Sequence, residues 1–171
     1  MTINMDFKRE PLLGDEANHL ANACQTPRER LVIWTLLDTG LRLQELEGLT
    51  PQNIDWQQHR LVIHGKGGKR RVVPMSARTR QLVEGHFATY ETLGIQRRAI
   101  QNLVRKVAVR AGITRPCSPH VLRHTFAVES LKKSIDLASL QKVLGHNNLQ
   151  TTAIYLNMQP EAALDEYRRK W

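Results

Sequence analysis

A chain of 171 residues with 41% hydrophobic residues is long enough for one domain with its own core. Its formal net charge of +9 points to a polyanionic partner, nucleic acid above all. The cysteines, Cys24 and Cys117, are too few and too far apart for a disulfide framework or a cysteine zinc site, no apolar run is long enough to span a bilayer, and the first residues lack the apolar stretch of a signal peptide, so the expected setting is the cytoplasm, with no membrane.

Residues 1–15 show no period and are expected to form a loose arm, followed by a mildly helical stretch over 15–23. Thr26-Pro27 reads as a cap followed by proline, opening a helix through residues 28–37 that Thr39-Gly40 breaks. A second helix is expected from Leu41 through Leu46, ending near Gly48. The spacing of Leu41, Glu45 and Leu46 turns those residues to a core and leaves Arg42 at its edge. Three short strands follow at 54–56, 60–64 and 70–74, the last two joined by Gly65-Lys66-Gly67-Gly68-Lys69. Those glycines supply the positive φ of a tight hairpin, giving a small antiparallel sheet with a basic tip.

Beyond Ser76 the chain reads as helical. Helices are expected over 77–90 and 96–111, the second carrying Arg97, Arg98, Arg105, Lys106 and Arg110 and no acid, with Gly112 as its stop. Ser118-Pro119 opens the next, to about Lys133; another runs over 136–144, stopped by Gly145. Thr151-Thr152 caps a short helix through Met158, and residues 161–171 form an amphipathic terminal helix. No internal repeat or low-complexity segment is present. The fold class is α+β, mainly α-helical, with one small three-stranded antiparallel sheet.

His120 and Arg123 fall in the first turn of the Ser118-capped helix, where free N–H groups and the helix dipole favour an anion. A guanidinium and an imidazole there suit a phosphate; a solvated basic helix start is the plainer alternative. The Gly65–Lys69 loop lacks the G-x-x-x-x-G-K-[ST] spacing and lies between strands, so it is not a nucleotide loop. In isolation it can be an ordinary basic hairpin; a lysine at a mobile hairpin tip can also carry a proton to a reacting phosphate. His120 and His124 have the spacing of a helical zinc pair, but position 121 is valine rather than glutamate and Arg123 is cationic, so no metal is expected. Taken singly, His146 can simply complement a helix C-terminus, Tyr155 can be a core tyrosine, and Arg42 with Glu45 can be a surface ion pair.

Their order and spacing as a set are more specific. The chain resembles the catalytic domain of the tyrosine recombinase (phage integrase) family, especially its Xer-like members. The resemblance runs through Thr39-Gly40-Leu41-Arg42 with Glu45-Leu46, Gly65-Lys66-Gly67 with Val73-Pro74, and Pro119-His120-Val121-Leu122-Arg123-His124-Thr125-Phe126-Ala127. It closes with Leu144-Gly145-His146 and Thr151-Thr152-Ala153-Ile154-Tyr155, covering nearly all of the chain from about residue 30.

The resemblance implies an enzyme that breaks and rejoins DNA through a 3′-phosphotyrosyl bond, without metal, ATP or other cofactor. It assigns the nucleophile to Tyr155, the phosphate-clamping arginines to Arg42 and Arg123, and the general acid for the departing 5′-oxygen to Lys66. His120 is implied to assist proton transfer at the tyrosine and His146 to donate a hydrogen bond to a phosphate oxygen, with Glu45 as a supporting residue. Lys69, Arg70, Arg97, Arg98 and Arg105 are the expected contacts to double-stranded DNA. Dimers or tetramers on DNA are expected, and the helix over 161–171 either packs on a neighbouring protomer or folds back in cis. A single catalytic domain is expected over 1–171, without the core-binding domain that precedes it in most of the family, and with a shorter segment than usual between the hairpin and His120. Two other readings are a topoisomerase-like nicking-closing enzyme and a non-enzymatic DNA-binding regulatory fragment.

Overall fold

The computed structural model describes residues 10–145. Its α-helices are α1 (Glu16–Asn22), α2 (Pro27–Thr39), α3 (Leu43–Glu47), α4 (Ala77–Phe87), α5 (Arg97–Arg110), α6 (Pro119–Lys132) and α7 (Leu137–Leu144). Between α3 and α4 lie β1 (Ile54–Asp55), β2 (Arg60–His64) and β3 (Arg70–Pro74). They form one antiparallel sheet in the order β1-β2-β3, with Ile54 opposite Leu61 and Leu61 opposite Val73. The expected elements from residue 16 to residue 144 are all present, and the expected short helix at 151–158 and terminal helix at 161–171 lie outside the described residues.

Helix α2 is the central element. Thr26 caps it by accepting from the Glu29 N–H at 3.1 Å while the Glu29 carboxylate takes the Thr26 N–H, and Pro27 fills the first helical position. Leu31, Val32, Ile33 and Leu36 are buried, and α2 packs against α1, α4, α5 and α6. The main core joins those residues to Leu61, Ile63 and Val73 of the sheet and to Ile100, Val104, Val107, Val121 and Leu122. A smaller cluster of Ala127, Val128, Leu140 and Leu144 seats α7 on α6.

Two expectations are corrected here. Arg42 does not belong to the helix. It is extended (φ −70°, ψ 151°) and stands at the N-cap of α3, where the Glu45 carboxylate accepts its backbone N–H at 2.8 Å. Residues 10–15, the described part of the expected loose arm, are tied down: Leu12 is 2% exposed, and its N–H donates to Thr125 Oγ1 at 2.9 Å. Arg115 adds to this by donating to the Pro11 carbonyl at 2.6 Å and pairing with Glu10 and Glu16.

Candidate active site

The C-terminus of α7 organises the site. Three successive carbonyls there each accept from a different arginine. Val143 O takes Arg71 Nε at 2.8 Å, Leu144 O takes Arg123 Nη2 at 2.8 Å, and Gly145 O takes Arg42 Nη2 at 3.2 Å. The last carbonyls of a helix have no partner within it and carry the negative end of its dipole, so guanidiniums are the natural complement. The arginines arrive from β3, from α6 and from the start of α3, so one helix end fixes three separate elements against one another.

Arg123 is 5% exposed, and its other hand, Nη1, donates to the Gly40 carbonyl. Gly40 is the left-handed cap of α2 (φ 62°), and a Cβ there would run into the Phe126 ring and Leu144. Only glycine fits both the conformation and the space. The Thr39-Gly40-Leu41-Arg42 run thus serves three purposes in sequence: Gly40 holds Arg123, Leu41 is buried, and Arg42 emerges to the surface.

Glu45 is saturated. Arg71 grips it with two parallel bonds, Nη1 to Oε1 at 2.6 Å and Nη2 to Oε2 at 2.7 Å. Arg42 adds its backbone N–H and, at 3.1 Å, Nη1. Burial pushes the Glu45 carboxyl up, but the Arg71 fork and the Arg42 contacts outweigh it and hold the group at about 2.

Lys66 lies in the turn Lys66–Gly68 between β2 and β3, where Gly67 and Gly68 both take positive φ and the Gly65 N–H closes the hairpin on the Lys69 carbonyl at 2.7 Å. The turn overhangs a cleft of about 1270 Å³ whose walls include Arg42, Lys66, Lys69, Arg70, Arg71 and Lys142. On the other side of Arg42 lies a smaller hollow of about 350 Å³, lined by Ser118, His120 and Arg123 among others. Ser118 caps α6 by accepting from the Val121 N–H at 3.3 Å, which sets His120 in the first turn as the sequence predicts and Arg123, three residues on, at the start of the second rather than in the first. The His120 and His124 Nε2 atoms stand 2.9 Å apart, within hydrogen-bond reach.

Arg42, Glu45, Lys66, His120 and Arg123 are therefore gathered around one pair of adjoining clefts, with Arg42 common to both. Lys69 and Arg70 join them on the hairpin side. The basic residues of α5 do not. Arg97 is paired with Glu47, and Arg110 is turned inward to Glu29 and the Ala23 carbonyl. Arg98 and Arg105 are exposed on α5 and line neither cleft. His146 and Tyr155 lie outside the described residues, which end at Gly145. Lys142, exposed on α7, and Arg71 are cleft residues that sequence reasoning missed. A signal for Arg71 was present: strand alternation puts it on the same side of β3 as the buried Val73, where a charge needs a partner.

The comparisons with known proteins agree with this architecture. The crystal structure of XerA recombinase superposes with a TM-score of 0.81 and 28% identity, over 94% of this chain and 63% of that one. The fold is thus that of a tyrosine recombinase catalytic domain. The chain belongs to the phage integrase family, which it matches over residues 10–162. Among curated relatives it is 33% identical over 151 residues to tyrosine recombinase XerA of Saccharolobus solfataricus, covering 85% of this chain and 51% of the relative. It is also 33% identical over 165 residues to tyrosine recombinase XerC of Haemophilus influenzae strain PittEE, covering 86% of this chain and 56% of the relative. The chain spans about half the length of these curated relatives. Among the described residues no helix is long and apolar enough to cross a membrane.

Proposed function

We propose that this chain is the catalytic domain of an Xer-like site-specific recombinase that cuts and rejoins DNA strands by transesterification in the cytoplasm. The observation that carries the reading is the position of Arg42. It forms the wall between the cleft under Lys66 and the hollow of His120 and Arg123, so one phosphate lodged against it meets cations from both sides.

In this reading the Tyr155 phenol attacks the scissile phosphorus. A Tyr–O–P bond forms on the 3′ side, the P–O5′ bond breaks, and the departing oxygen leaves as a 5′-hydroxyl. A phenol has a pKa of about 10 and is a weak nucleophile at neutral pH, so its proton must be taken up as it attacks, a role for His120. Lys66 supplies the proton to the 5′-oxygen. The negative charge that gathers on the non-bridging oxygens is met by Arg42 and Arg123, with His146 as a further donor. Arg123 is held by two carbonyls before any substrate arrives, the kind of fixed charge that costs no rearrangement during reaction. Rejoining is the same path reversed, with a 5′-hydroxyl as nucleophile, and the bond energy is kept in the phosphotyrosine throughout.

Lys69 and Arg70 beside the cleft, and Arg98 and Arg105 on α5, supply contacts to the DNA backbone, which fix register rather than sequence. Self-association on DNA as a dimer or tetramer goes with this reading. The test uses a pool of nicked duplexes with randomised sequence, incubated with the chain and assayed for protein covalently joined to DNA. An adduct is expected from the natural chain and none from Tyr155→Phe, which retains binding; an adduct that persists in Tyr155→Phe overturns the assignment. Relaxation of supercoiled plasmid without recombinant products would instead mark a nicking-closing enzyme.

A further inference from the structure

The geometry points to Arg71 as the positioning residue that keeps Arg42 available to a phosphate, by taking up the charge of Glu45. This rests on the proposed role of Arg42 as a phosphate clamp. Arg42, Glu45 and Arg71 form one linked cluster, with Glu45 between the two guanidiniums. Two positive groups and one negative group leave one positive charge over, and the geometry decides where it resides. Arg71 is mostly buried, its side chain 11% exposed, and it holds Glu45 with two short parallel bonds. Arg42 is much more open, its side chain 44% exposed, and its guanidinium reaches Glu45 by a single longer bond at 3.1 Å. The carboxylate is therefore spent on the inner guanidinium, and the outer one keeps its charge for the cleft.

The same side chain also sets position. Arg71 Nε binds the Val143 carbonyl, and a Cβ on Gly145 would sit 2.8 Å from Arg71 Cδ, so the α7 terminus is moulded around it. Gly145 O in turn receives Arg42 Nη2. Remove Arg71, and two things follow. Glu45 keeps its charge with only Arg42 to pair with, so Arg42 turns inward and its charge is cancelled. The carbonyl end of α7 loses one of its three cations.

Removing the negative charge as well should restore what was lost, an outcome that a merely structural role for Arg71 does not produce. The probe is inorganic phosphate, titrated into the arginine-labelled chain and followed on the Nε–Hε resonance of Arg42, for the natural chain, Arg71→Ala, Glu45→Gln, the double variant and Arg71→Lys. Phosphate affinity at Arg42 is expected to fall about tenfold in Arg71→Ala, the scale on which losing an orienting neighbour weakens an ion site elsewhere. The double variant is expected to recover most of that loss, because a neutral amide no longer captures Arg42. Arg71→Lys, which keeps the charge but not the fork, is expected to fall between.

An unchanged Arg42 response in Arg71→Ala overturns the inference. So does a double variant no better than Arg71→Ala, which is also what a damaged fold would give. So does a natural chain whose Arg42 does not respond to phosphate. A natural chain that shows the expected pattern but forms no covalent adduct with DNA supports the inference and counts only against the strand-cleavage reading.

Discussion

Gly40→Ala is expected to be among the more damaging single-methyl additions this chain can suffer. Two costs combine. The backbone is left-handed there (φ +62°), which costs a residue with a Cβ about 1–2 kcal/mol. The added carbon also meets the Phe126 ring and stands 2.9 Å from Leu144 Cδ2, and overpacking of that kind costs about 1–3 kcal/mol. Together these give roughly 2–5 kcal/mol, a large part of a typical domain's stability. Gly112 provides the internal control, since its φ is +77° but nothing lies within 4 Å of the added carbon. Gly112→Ala should therefore show the backbone cost alone, about 1–2 kcal/mol. Urea unfolding followed by circular dichroism gives both values from the shift in midpoint at constant slope. The substitution should also slow strand cleavage in molecules that remain folded, because the Gly40 carbonyl that holds Arg123 moves with the backbone. If Gly40→Ala costs no more than Gly112→Ala, the close approach of α2, α6 and α7 at this point is not as described.

Further predictions concern acid stability and the hairpin lysine. Glu29, held by Arg110, and Glu45, which burial raises but Arg71 lowers more strongly, both sit at about 2 against an ordinary 4.5. Because their pKa values are depressed by folding, the stability they contribute is complete above 4.5 and is lost as pH falls toward 2. Denaturant titrations across that window should show the decline, and Glu29→Gln should flatten it; an equal slope in the variant counts against the Arg110 pair as its cause. Lys66→Ala should slow cleavage by roughly 10²–10⁴-fold, the range of a lost proton donor, with little change in DNA binding. A substrate whose 5′-bridging oxygen is replaced by sulfur leaves as a thiolate, with a pKa near 8.5, and should restore most of the rate to Lys66→Ala. Failure of that rescue would remove Lys66 from the role of acid.

The elements were legible where the chain carries its own punctuation. Thr26-Pro27, Ser118-Pro119 and Asp136 open helices with side chains that accept from N–H groups three residues on, and Gly40 and Gly145 close them in the left-handed conformation. The hairpin was legible for the same reason, through glycines that tolerate positive φ at its tip. Arg42, Lys66, His120 and Arg123 were legible as a set, through their order and spacing in a resembling family, rather than through any local signal taken singly. Arg71 was only half legible: alternation along β3 places it on the side of the buried Val73, but its partners Glu45 and Val143 lie 26 and 72 residues away and nothing local names them. The same holds for the tie-down of Leu12 by Thr125, 113 residues away, which no periodicity could reveal. In α5 the basic composition was legible but the ion pairs were not: Arg97 meets Glu47 and Arg110 meets Glu29, partners 50 and 81 residues away.

The arginine grip on Val143, Leu144 and Gly145 also decides how damage would spread. Because the start of α3, β3 and α6 share one helix end, a shift of α7 displaces Arg42, Arg71 and Arg123 together. Residues that share a network do not contribute independently, so the losses from substituting any two of these arginines should not add.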